Sequence, residues 1–139
     1  MPDARDLSNR AVELAESGQY DEALALVNKG IRLDANNANA WYNKGIILFK
    51  MGRYQDALNS FAQAADIHPE FTEAWYNKGM ALMYNEKYLE AICAFNKVLK
   101  IHPHDERTRG QLDLAQKKIM ESGSLSQWSP SKNQTKLIK

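Results

Sequence analysis

Between residues 40 and 66 the apolar positions fall at helical spacing twice over. Trp41, Gly45, Leu48 and Phe49 form one run, and Tyr54, Ala57, Leu58, Phe61 and Ala65 form the next, each tracing a single face of an α-helix. Gly52-Arg53 separates them, and a glycine there can take the left-handed conformation that ends a helix. Pro69 follows the second run; lacking a backbone donor and restricting the residue before it, proline cannot continue the helix. The pattern therefore predicts two amphipathic helices joined by a tight turn. It then recurs: residues 40 to 45 read AWYNKG and residues 74 to 79 read the same, a displacement of 34. The same displacement relates Leu48 to Leu82, Tyr54 to Tyr88, Ala57 to Ala91, Phe61 to Phe95, and His68-Pro69 to His102-Pro103. Projected backward, it meets Leu14, Tyr20, Ala23 and Val27 at the matching places. Three copies follow, at residues 4 to 37, 38 to 71 and 72 to 105.

Each copy reads as helix, turn, helix. The turns fall at Gly18-Gln19, Gly52-Arg53 and Glu86-Lys87; Glu86 lacks a glycine's freedom, so the third turn is expected to be less tight. Ala35-Asn36-Asn37 closes the first copy where prolines close the others. Ala11, Gly45 and Gly79 on the first helices, with Ala23, Ala57 and Ala91 on the second, are expected to let paired backbones approach, the aromatic rings packing around them. Residues 106 to 121 set Leu112, Ala115, Ile119 and Met120 against charges, as a terminal helix must when it covers the last apolar face of an array. Residues 122 to 139 change to a Ser-rich, acid-free tail. The domain layout is thus a repeat domain over residues 1–121 and a basic tail.

Composition agrees with a helical chain and narrows function. Of 139 residues 44% are apolar and 25% charged, with only 7 Gly and 4 Pro, which disfavours disorder and turn-rich β-architectures. The formal net charge is +1, too small for a global field toward nucleic acid or membranes. Lys132, Lys136 and Lys139 belong to the tail, leaving residues 1–121 slightly acidic. A lone cysteine, Cys93, forms no internal disulfide and demands no oxidising compartment. No apolar core follows basic residues at the start, and no uninterrupted apolar stretch reaches membrane length, so the chain reads as soluble and cytoplasmic.

A 34-residue helix-turn-helix unit carrying Trp, Gly four residues on, Leu, Tyr, Ala, Phe and a closing Pro resembles the tetratricopeptide repeat (TPR). The second copy matches best; the first has Leu7 in place of Trp41 and Trp75. Arg10, Lys44 and Lys78 stand where the family usually has Leu, their stems expected over apolar neighbours with the charge in water. The resemblance implies an all-α, right-handed α-solenoid of three repeats plus a capping helix. It also implies a protein-protein interaction module or adaptor, whose first helices line a concave groove for a peptide or helical segment of a partner protein.

Carried over position by position, the groove comprises Arg5, Ser8, Asn9, Val12, Ala15 and Glu16; Asn39, Tyr42, Asn43, Ile46, Phe49 and Lys50; and Glu73, Tyr76, Asn77, Met80, Met83 and Tyr84. Asn9, Asn43 and Asn77 form a ladder of amides able to bond a ligand backbone, or else belong to the scaffold. Ile46, Phe49, Met80, Met83 and Tyr84 form an apolar strip suited to an amphipathic helix. Family members that grip chaperone tails use a five-residue carboxylate clamp; the corresponding positions here hold Ser8, Val12, Asn43, Glu73 and Asn77, of which only Asn43 agrees. A clamp of that type is not expected. Groove charge balances, Arg5 and Lys50 against Glu16 and Glu73, so no phosphate track for nucleic acid is expected. Self-association through groove, ends or tail is the alternative function, with Trp128 and Leu137-Ile138 as docking side chains.

No catalytic motif is present, so an enzyme is not expected, and no cofactor is called for. His102, His104 and Asp105 could ligate a metal, but turn residues near a helix end account for them, so no metal site is expected. Cys93 is expected to be a buried or inert thiol.

Overall fold

The computed structural model describes residues 2–122; the tail residues Trp128, Lys132, Lys136, Leu137, Ile138 and Lys139 lie outside the described residues. Among the described residues the architecture is all-α: α1 (Ala4–Glu16), α2 (Tyr20–Leu33), α3 (Ala38–Lys50), α4 (Tyr54–Ile67), α5 (Thr72–Tyr84), α6 (Tyr88–Ile101) and α7 (Glu106–Glu121). Each helix packs on its neighbour in sequence, and α1 also packs on α3. This is an α-solenoid, in which apolar faces are buried by stacking pairs rather than around one centre. None of its helices is long and apolar enough to cross a membrane.

All three intra-pair turns have the same geometry. Gln19, Arg53 and Lys87 donate backbone N–H to Leu14, Leu48 and Leu82, at 2.9, 2.9 and 2.8 Å. Gly18, Gly52 and Glu86 donate to Ala15, Phe49 and Met83, each at 3.0 Å. These are the paired bonds of a Schellman cap. Glu86 takes φ 58°, beside 84° at Gly18 and 79° at Gly52. The expectation of a looser third turn is therefore corrected: its hydrogen bonds hold Glu86 left-handed at the cost of strain.

The small residues meet something other than one another. A Cβ on Gly45 would lie 2.5 Å from Cε1 of Phe61, and one on Gly79 would lie 2.4 Å from Cε1 of Phe95. The missing side chain is the space that the phenyl ring fills. In the first pair the equivalent positions are Ala11 and Val27, both fully buried, so a larger first-helix residue faces a smaller second-helix one.

Between pairs, Trp41 Nε1 donates to the carbonyl of Ala35 at 2.8 Å and Trp75 Nε1 to that of Pro69 at 2.9 Å, pinning each junction to the next helix. Arg109, 34 residues after Trp75, donates to Pro103 in the same way at 3.2 Å. Asp3, Asn37 and Asp105 cap α1, α3 and α7 through side-chain oxygens, satisfying orphan N–H groups. Phe71, before α5, gives up that cap and instead places its ring 4.8 Å from Tyr42. On the structural evidence α7 begins as a further first helix, with Leu112, Ala115 and Ile119 buried against α6.

Candidate functional site

The face made by α1, α3, α5 and α7 divides into a polar and an apolar half. In the polar half, side chains bridge each pair of adjacent first helices. Asn43 Nδ2 donates to Asn9 Oδ1 at 3.4 Å, and Asn77 Nδ2 donates to the Tyr42 hydroxyl at 2.9 Å. From α7, Arg107 donates to both carboxylate oxygens of Glu73, at 2.9 and 3.4 Å, and lies 3.7 Å over the Tyr76 ring. The amide ladder is thus engaged with the scaffold: Asn43 and Tyr76 are each only 8% exposed. Tyr42 packs against Phe61 and Phe71, and Tyr76 against Phe95. Asn9 is exposed.

Burial pushes both phenols above their ordinary pKa. At Tyr42 the Glu73 charge adds to that rise, while the Asn77 hydrogen bond and Arg107 oppose it. At Tyr76 Arg107 opposes it first. The Glu73 hydrogen bond holds the Arg107 guanidinium above its usual value. Neither phenol is poised to act as a base near neutral pH.

The apolar half lies toward the C-terminal ends of the same helices. Ile46, Phe49, Met80 and Met83 are half-buried, while Tyr84 and Lys50 are exposed. Tyr84 stacks on Tyr54 with ring centres 4.8 Å apart, and Phe49 meets both edge-on at 5.0 and 5.1 Å. Of the eleven residues singled out in the sequence, Asn9, Tyr42, Asn43, Tyr76 and Asn77 are therefore drawn into contacts between repeats. Phe49, Met80 and Met83 pack against one buried cluster, Ile46 packs with Phe49 against another, and Tyr84 meets Phe49 and Tyr54.

The sequence reading missed Arg107 and the share of this face contributed by α7. The signal was present, since Arg107 stands 34 residues after Glu73. It was obscured because Arg109 and Gly110 replace the Trp and Tyr that mark the second and third copies. Arg107 brings a further positive charge to this face, paired with Glu73.

Two further candidates resolve differently. Cys93 is exposed, which removes burial from the expectation of a buried or inert thiol; it borders a cleft of about 240 Å³ with Trp75, Lys78 and Lys97. That cleft repeats, 34 residues on, one of about 460 Å³ beside Trp41, Lys44, Asp56 and Asn59. Both lie away from the first-helix face, and the lysines rest on the indoles, 5.5 Å for Lys44 and 4.9 Å for Lys78. Asp105 spends its side chain capping α7, and no group of three metal-ligating side chains occurs among the described residues.

Stacked helix pairs bridged along one face define a helical-repeat protein. A family model described as "Tetratricopeptide repeat" matches residues 42–106, and one described as "TPR repeat" matches residues 13–52. The chain belongs to the tetratricopeptide-repeat family, whose repeats build protein-interaction modules. Among curated proteins none matches it significantly. Solved structures of similar fold include the first TPR of Spaghetti (RPAP3) bound to HSP90 peptide SRMEEVD. It is 22% identical over 84% of this chain and 95% of that one, with a TM-score of 0.78. The first TPR domain of human RPAP3 is 21% identical over 87% and 95%, with a TM-score of 0.81. A MamA RS-1 ArsTM double mutant is 27% identical over 85% and 66%, with a TM-score of 0.77.

Proposed function

We propose that the chain is an adaptor that receives a peptide or helical segment of a partner protein in the groove lined by α1, α3, α5 and α7, seated on its apolar half. The observation that carries this reading is Tyr84, which is 55% exposed and meets the edge of Phe49, itself packed on the same buried cluster as Met80 and Met83. A contiguous apolar surface held open by rigid helices is a surface for a partner.

The binding mode differs from a carboxylate clamp. Of the clamp positions, Ser8 is buried and donates to the carbonyl of Arg5. Asn43 and Asn77 are bonded across the repeats, and Glu73 is paired with Arg107. The solved relatives whose descriptions name bound HSP90 or HSP70 peptides therefore support peptide recognition by this fold rather than that ligand. A non-enzymatic role follows from the same reading.

The test replaces Met83 and Tyr84 together with Glu. Affinity purification with the wild-type chain identifies the partner by mass spectrometry. The double variant, with unchanged far-UV circular dichroism, is expected to lose it. Equal recovery would place the site elsewhere.

A further inference from the structure

We propose that the chain carries a second binding site, away from the first-helix face, which takes an extended, uncharged peptide segment of a partner protein and holds it by its backbone. The site is independent of the groove. α2 and α4 both pack on α3, and a cleft of about 460 Å³ is lined from all three helices: by Asn28 of α2, Trp41 and Lys44 of α3, and Asn59, Ser60 and Gln63 of α4. Ser60 is the decisive residue. It is only 4% exposed, it borders the cleft, and its hydroxyl has no hydrogen-bond partner among the described residues. Buried hydroxyls are ordinarily paired inside the protein, so one left free beside an opening is available to whatever enters.

The polar lining is not a consequence of the repeat. At a displacement of 34, Cys93, Ala94 and Lys97 stand in place of Asn59, Ser60 and Gln63, and the cleft there is about 240 Å³. Trp75 and Lys78 keep the indole and the lysine of Trp41 and Lys44. The indole and lysine are therefore common to both clefts, whereas the amides and the free hydroxyl belong to one. Ala94, buried at 3% exposure, shows that the helix packing needs no hydroxyl at this position.

The chemistry of the lining selects the occupant. A side-chain amide carries donors and an acceptor, as a peptide group does. Asn59 and Gln63 are four residues apart on α4, about 6 Å along a helix axis, and peptide groups facing one side of an extended chain recur at about 6.6 Å. Successive amides can therefore meet successive peptide groups. Gln55 Nε2 donates to Asn59 Oδ1 at 3.4 Å, which leaves the Asn59 nitrogen to donate to a ligand carbonyl. Charge does not favour an anion: Asp56 lines the same cleft, paired with Arg53 at 2.6 Å, so an anion reaching Lys44 meets a carboxylate beside it. A nucleobase or a sugar ring needs an open aromatic face on which to stack, and Lys44 holds its ammonium over the Trp41 ring at 5.5 Å.

The experiment titrates the isotope-labelled full chain, followed by amide-detected NMR, with three probes: the blocked peptide acetyl-Ala-Ser-Ala-Ser-Ala-amide, maltotriose and inorganic phosphate. The peptide is expected to bind weakly, as a short flexible ligand must, and to shift the side-chain amide signals of Asn28, Asn59 and Gln63 to saturation. Maltotriose and phosphate should leave those signals in place at equal concentration. Followed at Asn28, peptide affinity should fall about tenfold in Asn59→Ala/Gln63→Ala, which removes two hydrogen bonds; both positions are exposed on a helix, where alanine keeps the fold. Ser60→Ala, the residue type the next repeat already accepts, should lose a smaller factor. Met83→Glu/Tyr84→Glu should leave the titration unchanged, so that a failure of the groove is told apart from a failure of this site. No saturable shift, shifts centred on other residues, tighter binding of maltotriose or phosphate, full affinity in either α4 variant, or a loss in Met83→Glu/Tyr84→Glu would overturn the proposal.

Discussion

At Gly45 and Gly79 one hydrogen atom decides how two helices meet. The phenyl rings of Phe61 and Phe95 occupy the volume a methyl group would need, with overlaps down to 2.5 and 2.4 Å. Both rings are fully buried and have nowhere to retreat. Ala11 opposite Val27 shows the alternative solution at the same pair of positions. Gly45→Ala should therefore cost about 1–3 kcal/mol by overpacking, despite alanine's better helix propensity. Phe61→Val alone should also destabilise, by leaving a cavity. Together they recreate the pairing of the first repeat, so the double variant should be more stable than the sum of the single losses predicts by about 1 kcal/mol or more. Urea unfolding of the four proteins closes the cycle; strict additivity would mean that the ring and the glycine do not act as a unit.

At the scale of the element, the same turn is built three times from different residues. Leu14, Leu48 and Leu82 accept equivalent hydrogen bonds, so the turn conformation is set by the caps and the packing of both helices, and Glu86 is carried into the left-handed region with it. Glu86→Gly should relieve that strain. Offset by the greater freedom glycine gains when unfolded, the net stabilisation should be about 0.5–1 kcal/mol, read as a higher thermal midpoint; an unchanged or lower midpoint would mean that Glu86 sits there without strain. The helices themselves were legible because their apolar period repeats. The third turn is not legible from Glu86 alone, because its neighbours and not the residue's own preference decide the conformation. The partners of the amide ladder were hidden for a related reason: Asn43 reaches Asn9 and Asn77 reaches Tyr42 across a whole repeat, and residue type alone does not say whether an amide faces a ligand or its own scaffold.

Among the described residues the array is held by contacts between neighbouring repeats, each junction repeating the same devices: an indole or guanidinium bonded to the preceding loop, and a side-chain bridge between first helices. Arg107 and Arg109 extend the bridge and the loop bond into α7, which also closes the last core. In such a chain, stability is a sum of unit and interface contributions, and a local loss propagates only as far as its neighbours. Leu112 is 6% exposed and packs in the cluster of Phe95, Val98 and Ile119. Leu112→Ala should cost about 2–5 kcal/mol at that end. Hydrogen exchange by mass spectrometry should then show protection falling most in α7 and α6, less in α5, and not at all in α1 and α2. Uniform acceleration along all seven helices would show instead that the array unfolds as a single cooperative unit, with the interfaces stronger than the repeats they join.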